Sequence, residues 1–168
     1  MIKELNLNCP YKVYEDSEKN IYYFYTLTKV RYIAYFTDAD EYFPDFYLKN
    51  NIYTFGFEPE KNKGKSNRIL ADNNIKLTLI SIIQNFFKNS NNVLTFVADI
   101  SDLKQKARNR LFEIWKNQYD IKEQFEKYDI EIETDDESYY SSMLINRNNM
   151  HKSEYKKAFL QTTEELKK

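Results

Sequence analysis

Residues 74–119 hold the densest apolar sequence in the chain: NIKLTLISIIQNFFKNS, then NNVLTFVADI, then SDLKQKARNRLFEIWKNQY. The spacing predicts helix, strand, helix. Ile75, Leu79, Ile82, Ile83 and Phe86 fall on one helical face, and Leu77, Ile80 and Phe87 widen it well past a narrow stripe. A helix this apolar must be covered on most sides, so it packs between a sheet and another element. Asp72 or Asn73 can cap its start, and the run Asn89 to Asn92 ends it. The short apolar strand 93–98 reads as buried on both faces. Ser101 or Asp102 caps the second helix, where Asp102 and Gln105 have capping-box spacing and Ala107, Leu111, Ile114, Trp115 and Gln118 form one stripe.

The flanks read as strands. Residues 11–14 make a short first strand, 21–28 and 30–36 an aromatic antiparallel hairpin across Thr28-Lys29, and 52–58 a fourth strand before Pro59. Gly56 inside that strand marks a bulge or a close approach of another backbone. Residues 37–51 are irregular, acidic at first, and interrupted by Pro44. Strands are expected at 128–134 and 138–146, joined through Asp135-Asp136-Glu137, with an amphipathic helix over 152–166. The order β-β-β-β-α-β-α-β-β-α makes the fold class α+β with a mixed, mainly antiparallel sheet. The chain, residues 1–168, is expected to be one domain.

Composition narrows the function classes. The 15 Tyr and 12 Phe provide ample core, whereas 2 Gly argue against a Gly-rich phosphate loop. A formal net charge of −1 sets up no global field toward nucleic acid or an anionic membrane. Cys9 is the single cysteine, which excludes an internal disulfide and a multi-cysteine metal site. The N-terminal MIKELNLNCPYKV lacks a signal-peptide pattern, and no apolar run has membrane-spanning length. A bacterial cytoplasmic protein is the expectation. The heavy use of Asn, Lys, Ile and Tyr is that of an AT-rich genome.

Two clusters are candidate sites. Asp99, Ser101, Asp102, Arg108, Asn109 and Arg110 gather at the end of the central strand and the start of the next helix, where ligands bind in sheets with parallel pairs. Asp99 and Asp102 would accept and Arg108 or Arg110 would clamp an anion. The plainer alternative makes Ser101 and Asp102 a helix cap and one arginine the cover of Trp115. The loop Lys61, Lys63, Gly64, Lys65 and Arg68 is a candidate anion-binding loop, and aromatics on the hairpin strands are surfaces on which bases stack. His151 is the single histidine, which rules out a two-histidine metal site; a general base would be His151 or a carboxylate, but its polar turn before a helix fits a bystander or cap role better. Ser141 and Ser142 lie in a strand without a nucleophile elbow.

Asp99-x-Ser101-Asp102, the run Ala107-Arg108-Asn109-Arg110-Leu111-Phe112, Trp115, and Tyr139-Tyr140-Ser141-Ser142-x-Leu144-Ile145 together resemble an uncharacterised family of bacterial domains of unknown function. So does the turn Asn149-x-His151-Lys152. That resemblance implies no activity. The element order from the strand at Ile52 through the closing hairpin is similar, more distantly, to the C-terminal half of GNAT acyltransferases, with Ala107, Leu111 and Phe112 at the place of an A-x-x-L-Y-like helix. It implies a GNAT-like topology with acyl-CoA as ligand. The family's R/Q-x-x-G-x-G/A pyrophosphate loop has no match, because residues 61–68 carry one glycine and stop short of the helix, and its paired N-terminal helices are missing. The leading expectation is a non-enzymatic interaction or regulatory module with no cofactor, acting on a protein partner or on a second copy of itself. A divergent or degenerate acyltransferase is the alternative, and nucleic-acid binding a less favoured third.

Overall fold

Alternating aromatic and β-branched residues make strands of the chain's first third, because such side chains fill a pleated surface and lose little freedom on it. The structure, a computed structural model, describes residues 1–60, 72–98, 123–133 and 138–165. Its elements are β1 (Ile2–Leu5), β2 (Val13–Asp16), β3 (Ile21–Tyr25), β4 (Arg31–Asp38), β5 (Ile52–Pro59), α1 (Asn73–Phe86), β6 (Val93–Ala98), β7 (Phe125–Glu133), β8 (Ser138–Asn146) and α2 (Lys152–Glu165). The fold class is α+β. Eight strands form a sheet in the order β1-β2-β3-β4-β5-β6-β8-β7, mostly antiparallel, with β5 and β6 parallel. The second helix expected near residue 102, the loop 61–68 and the turn 135–137 lie outside the described residues.

The chain divides into two compact units, Met1–Thr37 with Phe55–Lys88 and Asp38–Thr54 with Asn89–Lys168. In the first, Val13, Phe24, Tyr32, Ala34 and Phe36 are buried on one sheet face, with Phe24 stacked between Tyr11 and Tyr32. Phe36 meets Phe55 of β5 and stacks on Phe86 of α1 with ring centroids 4.0 Å apart, so α1 covers this face. Burial runs around the helix, from Ile75 through Leu79, Ile80, Ile82 and Ile83 to the hydroxyls of Thr78 and Ser81. Those hydroxyls are satisfied within the helix, donating to the carbonyls of Asn74 and Leu77. Asp72 is the cap: its carboxylate accepts the Asn74 N–H at 2.8 Å and the Tyr11 hydroxyl at 2.5 Å.

In the second unit, β6 pairs with β8 and β8 with β7 along their lengths, Val93 facing Ile145 and Phe125 facing Asn146. Parallel pairing of β5 with β6 is confined to Ile52 with Val93 and Tyr53 with Leu94. The core gathers Phe43, Ile52, Val93, Met143, Ile145, Tyr155 and Phe159. Tyr155 and Phe159 come from α2 at i, i+4 spacing, and they seat that helix. No helix among the described residues is long and apolar enough to cross a membrane.

Three expectations need correction. The first strand is preceded by another, β1, and β2 starts at Val13, because Tyr11 anchors the α1 cap instead. The β3–β4 connection is longer than Thr28-Lys29. Thr26 N–H bonds the Val30 carbonyl, Thr26 Oγ1 accepts the Val30 N–H, and Lys29 takes a left-handed φ of 61°. Gly56 meets a side chain rather than a backbone: the Tyr35 ring lies where its Cβ would be.

Candidate functional site

Strand parity decides which tyrosines the first unit leaves at its second sheet face. Tyr14 pairs across with Tyr23, Tyr23 with Ile33, and Tyr25 with Arg31. All of these alternate with the residues under α1, so they share the opposite face. There the side chains cover one another. Tyr14 stacks on Tyr23 with centroids 5.3 Å apart, Tyr25 meets Tyr23 edge-on, and the Arg31 guanidinium lies 4.2 Å from the Tyr23 centroid. Arg31 Nη1 donates to Glu60 at 2.9 Å, while its buried Nε has no partner among the described residues. Tyr23 is buried as a result, Tyr14 and Tyr35 are half-buried, and Tyr25 is 51% exposed. Leu27 at the hairpin tip and Ile2 on β1 are also exposed.

The second unit places its polar groups along one flank of α2. His151, at the helix start, accepts the N–H groups of Glu154 and Tyr155 on its backbone carbonyl, bonds that engage the main chain and leave the imidazole to Glu154. Its Nδ1 lies 2.5 Å from Glu154 Oε2, and the Tyr47 hydroxyl donates to Glu154 Oε1 at 2.5 Å. The Tyr47 bond first, and then His151, hold the Glu154 carboxyl below its usual range, and the same bond raises Tyr47. Asn149 steadies the turn before it, donating to the carbonyls of Ser90 and Asn91 and accepting the His151 N–H. On the other flank, Glu126 of β7 takes Lys152 at 2.7 Å, Arg147 at 3.5 Å and the Tyr128 hydroxyl. Its carboxyl is lowered, chiefly by the Lys152 bond, and burial pushes Tyr128 up to about 12.

None of the two sequence-derived clusters can be placed. Asp99, Ser101, Asp102, Arg108, Asn109 and Arg110 lie outside the described residues, as do Lys61, Lys63, Gly64, Lys65 and Arg68. Ser141 and Ser142 are buried in β8, where Ser141 donates to the Phe96 carbonyl and Ser142 to Asp129 at 2.5 Å; both act as sheet-bracing hydroxyls. Cys9 donates to the Tyr11 carbonyl, and burial raises its thiol, which removes thiolate character. No group of three or more acidic, histidine or cysteine side chains suited to a metal occurs among the described residues. The Tyr47–Glu154–His151 group went unseen in the sequence because Tyr47 and Glu154 are 107 positions apart.

The sequence model of DUF6169, a family of unknown function, matches residues 71–161, more than half of the chain. The chain belongs to this family. No curated protein matches it by sequence. The DUF6169 match opens beside the Asp72 cap and runs into α2, so it takes in the His151–Glu154 pair. Strands β1 to β5, with the tyrosine face, precede it.

Proposed function

We propose that the protein is a small interaction module of the bacterial cytoplasm that binds a protein partner through the tyrosine-lined sheet face of its first unit. The observation that carries this reading is that face itself: Tyr14, Tyr23, Tyr25 and Tyr35 with Arg31, opposite the face that α1 covers. Tyrosine and arginine are among the residues enriched where proteins bind proteins, since each brings a large contact area and a polar tip, tyrosine at small entropic cost and Arg31 already held on Tyr23 and Glu60. The charges there are balanced, Arg31 on Glu60 and Lys12 on Glu4, which suits a protein surface better than a polyanion. The chain is read as one domain, since β5 supplies Ile52–Thr54 to one compact unit and Phe55–Pro59 to the other.

The test replaces Tyr25 with a photo-crosslinking phenylalanine analogue in cells and uses exposed Lys88 as the comparison site. An adduct of defined mass from position 25, weakened by Tyr14→Ser and Tyr35→Ser, is expected; an adduct of twice the chain mass would identify the partner as a second copy. No adduct at position 25, or equal adducts at both positions, overturns the reading.

One observation favours a second reading, a divergent GNAT-like domain that binds acyl-CoA. The order β5-β6-β8-β7, a helix between the parallel strands, and pairing of β5 with β6 over only two residue pairs are similar to that fold, in which the corresponding strands splay. Fold alone does not confer activity. A ligand at a hundred times its dissociation constant stabilises by about 2.7 kcal/mol, which is roughly 5–11 °C for a chain of this size. Thermal unfolding with and without saturating acyl-CoA is therefore decisive, and an unchanged midpoint ends this reading.

A further inference from the structure

Past the Tyr47–Glu154–His151 group, the same flank of α2 continues through Ala158 and Gln161 to Thr162 and Glu165, at i, i+3, i+4 and i+7 spacing. Opposite it runs the segment that carries Phe43, Asp45 and Phe46, and the two enclose a cleft of about 140 Å³. Phe43 is buried, and Phe46 is held edge-on against both Tyr47 and Tyr155, so the aromatic wall is set by the core behind it.

The polar side chains that line this space are those of Asp45, Gln161, Thr162 and Glu165. Thr162 gives its proton to the Ala158 carbonyl at 3.0 Å, which leaves its oxygen lone pairs. Both Glu154 oxygens are engaged by Tyr47 and His151, so that carboxylate is spent. Asp45 and Glu165 have no ion-pair partner among the described residues, and Gln161 brings the side-chain amide of the described lining. The neighbouring Lys49 donates from its ammonium to the Pro44 carbonyl at 3.0 Å and keeps its charge, which the two carboxylates outweigh. A lining with two carboxylates, two aromatic rings and, among the described residues, no lysine or arginine fits a donor-rich positive group with an apolar stem, which gains from the rings as well as from the charge. Size bounds it further. Sites for drug-sized ligands and cofactors run from roughly 300 to 1,000 Å³, more than twice what is available here.

We propose that this cleft binds the head of one organic cation, an alkylguanidinium or alkylammonium group on a short apolar stem. The stem lies against Phe43 and Phe46, and the carboxylates of Asp45 and Glu165 take the head. This assignment is independent of the tyrosine face.

The experiment is an NMR titration of the full chain with n-propylguanidinium, with the isosteric but neutral n-propylurea as comparison. Saturable, salt-sensitive shifts confined to residues such as Phe46, Ala158 and Thr162 are expected with the cation alone. The double variant Asp45→Asn, Glu165→Gln should weaken them roughly tenfold, as the loss of two exposed charges predicts, while its spectrum shows the fold unchanged. Equal shifts with the urea, shifts that survive the double variant, or a silent cleft at millimolar cation overturn the proposal. A capped Gly-Arg-Gly peptide and agmatine then identify the source. Tighter binding of the peptide assigns the head to a protein side chain, and tighter binding of agmatine to a free metabolite cation.

Discussion

Replacing Gly56 with alanine tests whether a glycine is kept here for space rather than for backbone freedom. Gly56 has no left-handed φ, so an L residue meets no torsional strain. A Cβ would nevertheless lie 2.4 Å from Tyr35 Cε2, 2.5 Å from its Cζ and 2.8 Å from its hydroxyl oxygen. Carbon pairs are at ease near 3.5–4.0 Å, so the ring must move by about an ångström. Overpacking of this kind costs about 1–3 kcal/mol, against which alanine regains roughly 0.5–1 kcal/mol of the strand penalty of glycine. The net loss runs from about zero to about 2.5 kcal/mol, equivalent to at most about 10 °C in midpoint, and the coupling to Tyr35 carries the test. The assay is urea and thermal unfolding of wild type, Gly56→Ala, Tyr35→Ala and the double variant, read as a cycle. With Tyr35 removed, the alanine should become neutral or stabilising. A Gly56→Ala loss of the same size in both backgrounds would refute the steric account. The one-domain reading requires one transition for all four proteins, and two separable transitions would overturn it.

Two further outcomes concern pH. Burial, aided by Glu15, raises Tyr22 to about 12, as burial and Glu126 raise Tyr128. A raised acid favours its protonated form in the fold. Its contribution is therefore whole below the unfolded value of 10.0 and is lost as pH climbs from there toward 12. Phenolate absorbance should show these tyrosines ionising only as the near-ultraviolet dichroism collapses; complete ionisation near pH 10 with the fold intact would contradict this. Glu126 is lowered from 4.5, so its contribution is present above that value and disappears as pH falls through the depressed one. Glu126→Gln should therefore cost on the order of 1 kcal/mol at neutral pH, and much less once the wild-type carboxyl is protonated. A cost that does not change with pH would remove the charge-based account of the Lys152 and Arg147 pairs.

What the sequence discloses depends on how local the cause is. The strand 93–98 was legible to the residue because an apolar run interrupted at Thr95 alone, set between polar Asn91-Asn92 and Asp99, leaves little choice of boundary. The α1 face was legible too, although Thr78 and Ser81 joined the core unannounced, since hydroxyls that bond their own helix hide from a hydropathy pattern. Strand β1 was not legible: in IKEL only Ile2 and Leu5 are apolar, they point to opposite faces, and the pairing with β2 holds them. The same limit governs the sites. Which tyrosines lie under α1 and which face outward follows from the pairing of β2, β3 and β4, and a shift of one residue would exchange the two sets.

That dependence on register also joins fold to function. The core face and the proposed contact face are drawn from one residue type on the same strands, Tyr32 and Tyr22 on one side, Tyr23 and Tyr25 on the other. Hydrophobicity alone cannot tell them apart, and the register does so by placing Val13 opposite Phe24 beneath α1. The Tyr47–Glu154–His151 group and the cleft beside it arise similarly from side chains about a hundred positions apart, brought together because Tyr155 and Phe159 seat α2 in the core. A substitution that loosens Phe159 should therefore disturb the cleft without touching it, while Asp45→Asn and Glu165→Gln should empty the cleft of its ligand and leave the core intact. Those two effects separate the scaffold from the site.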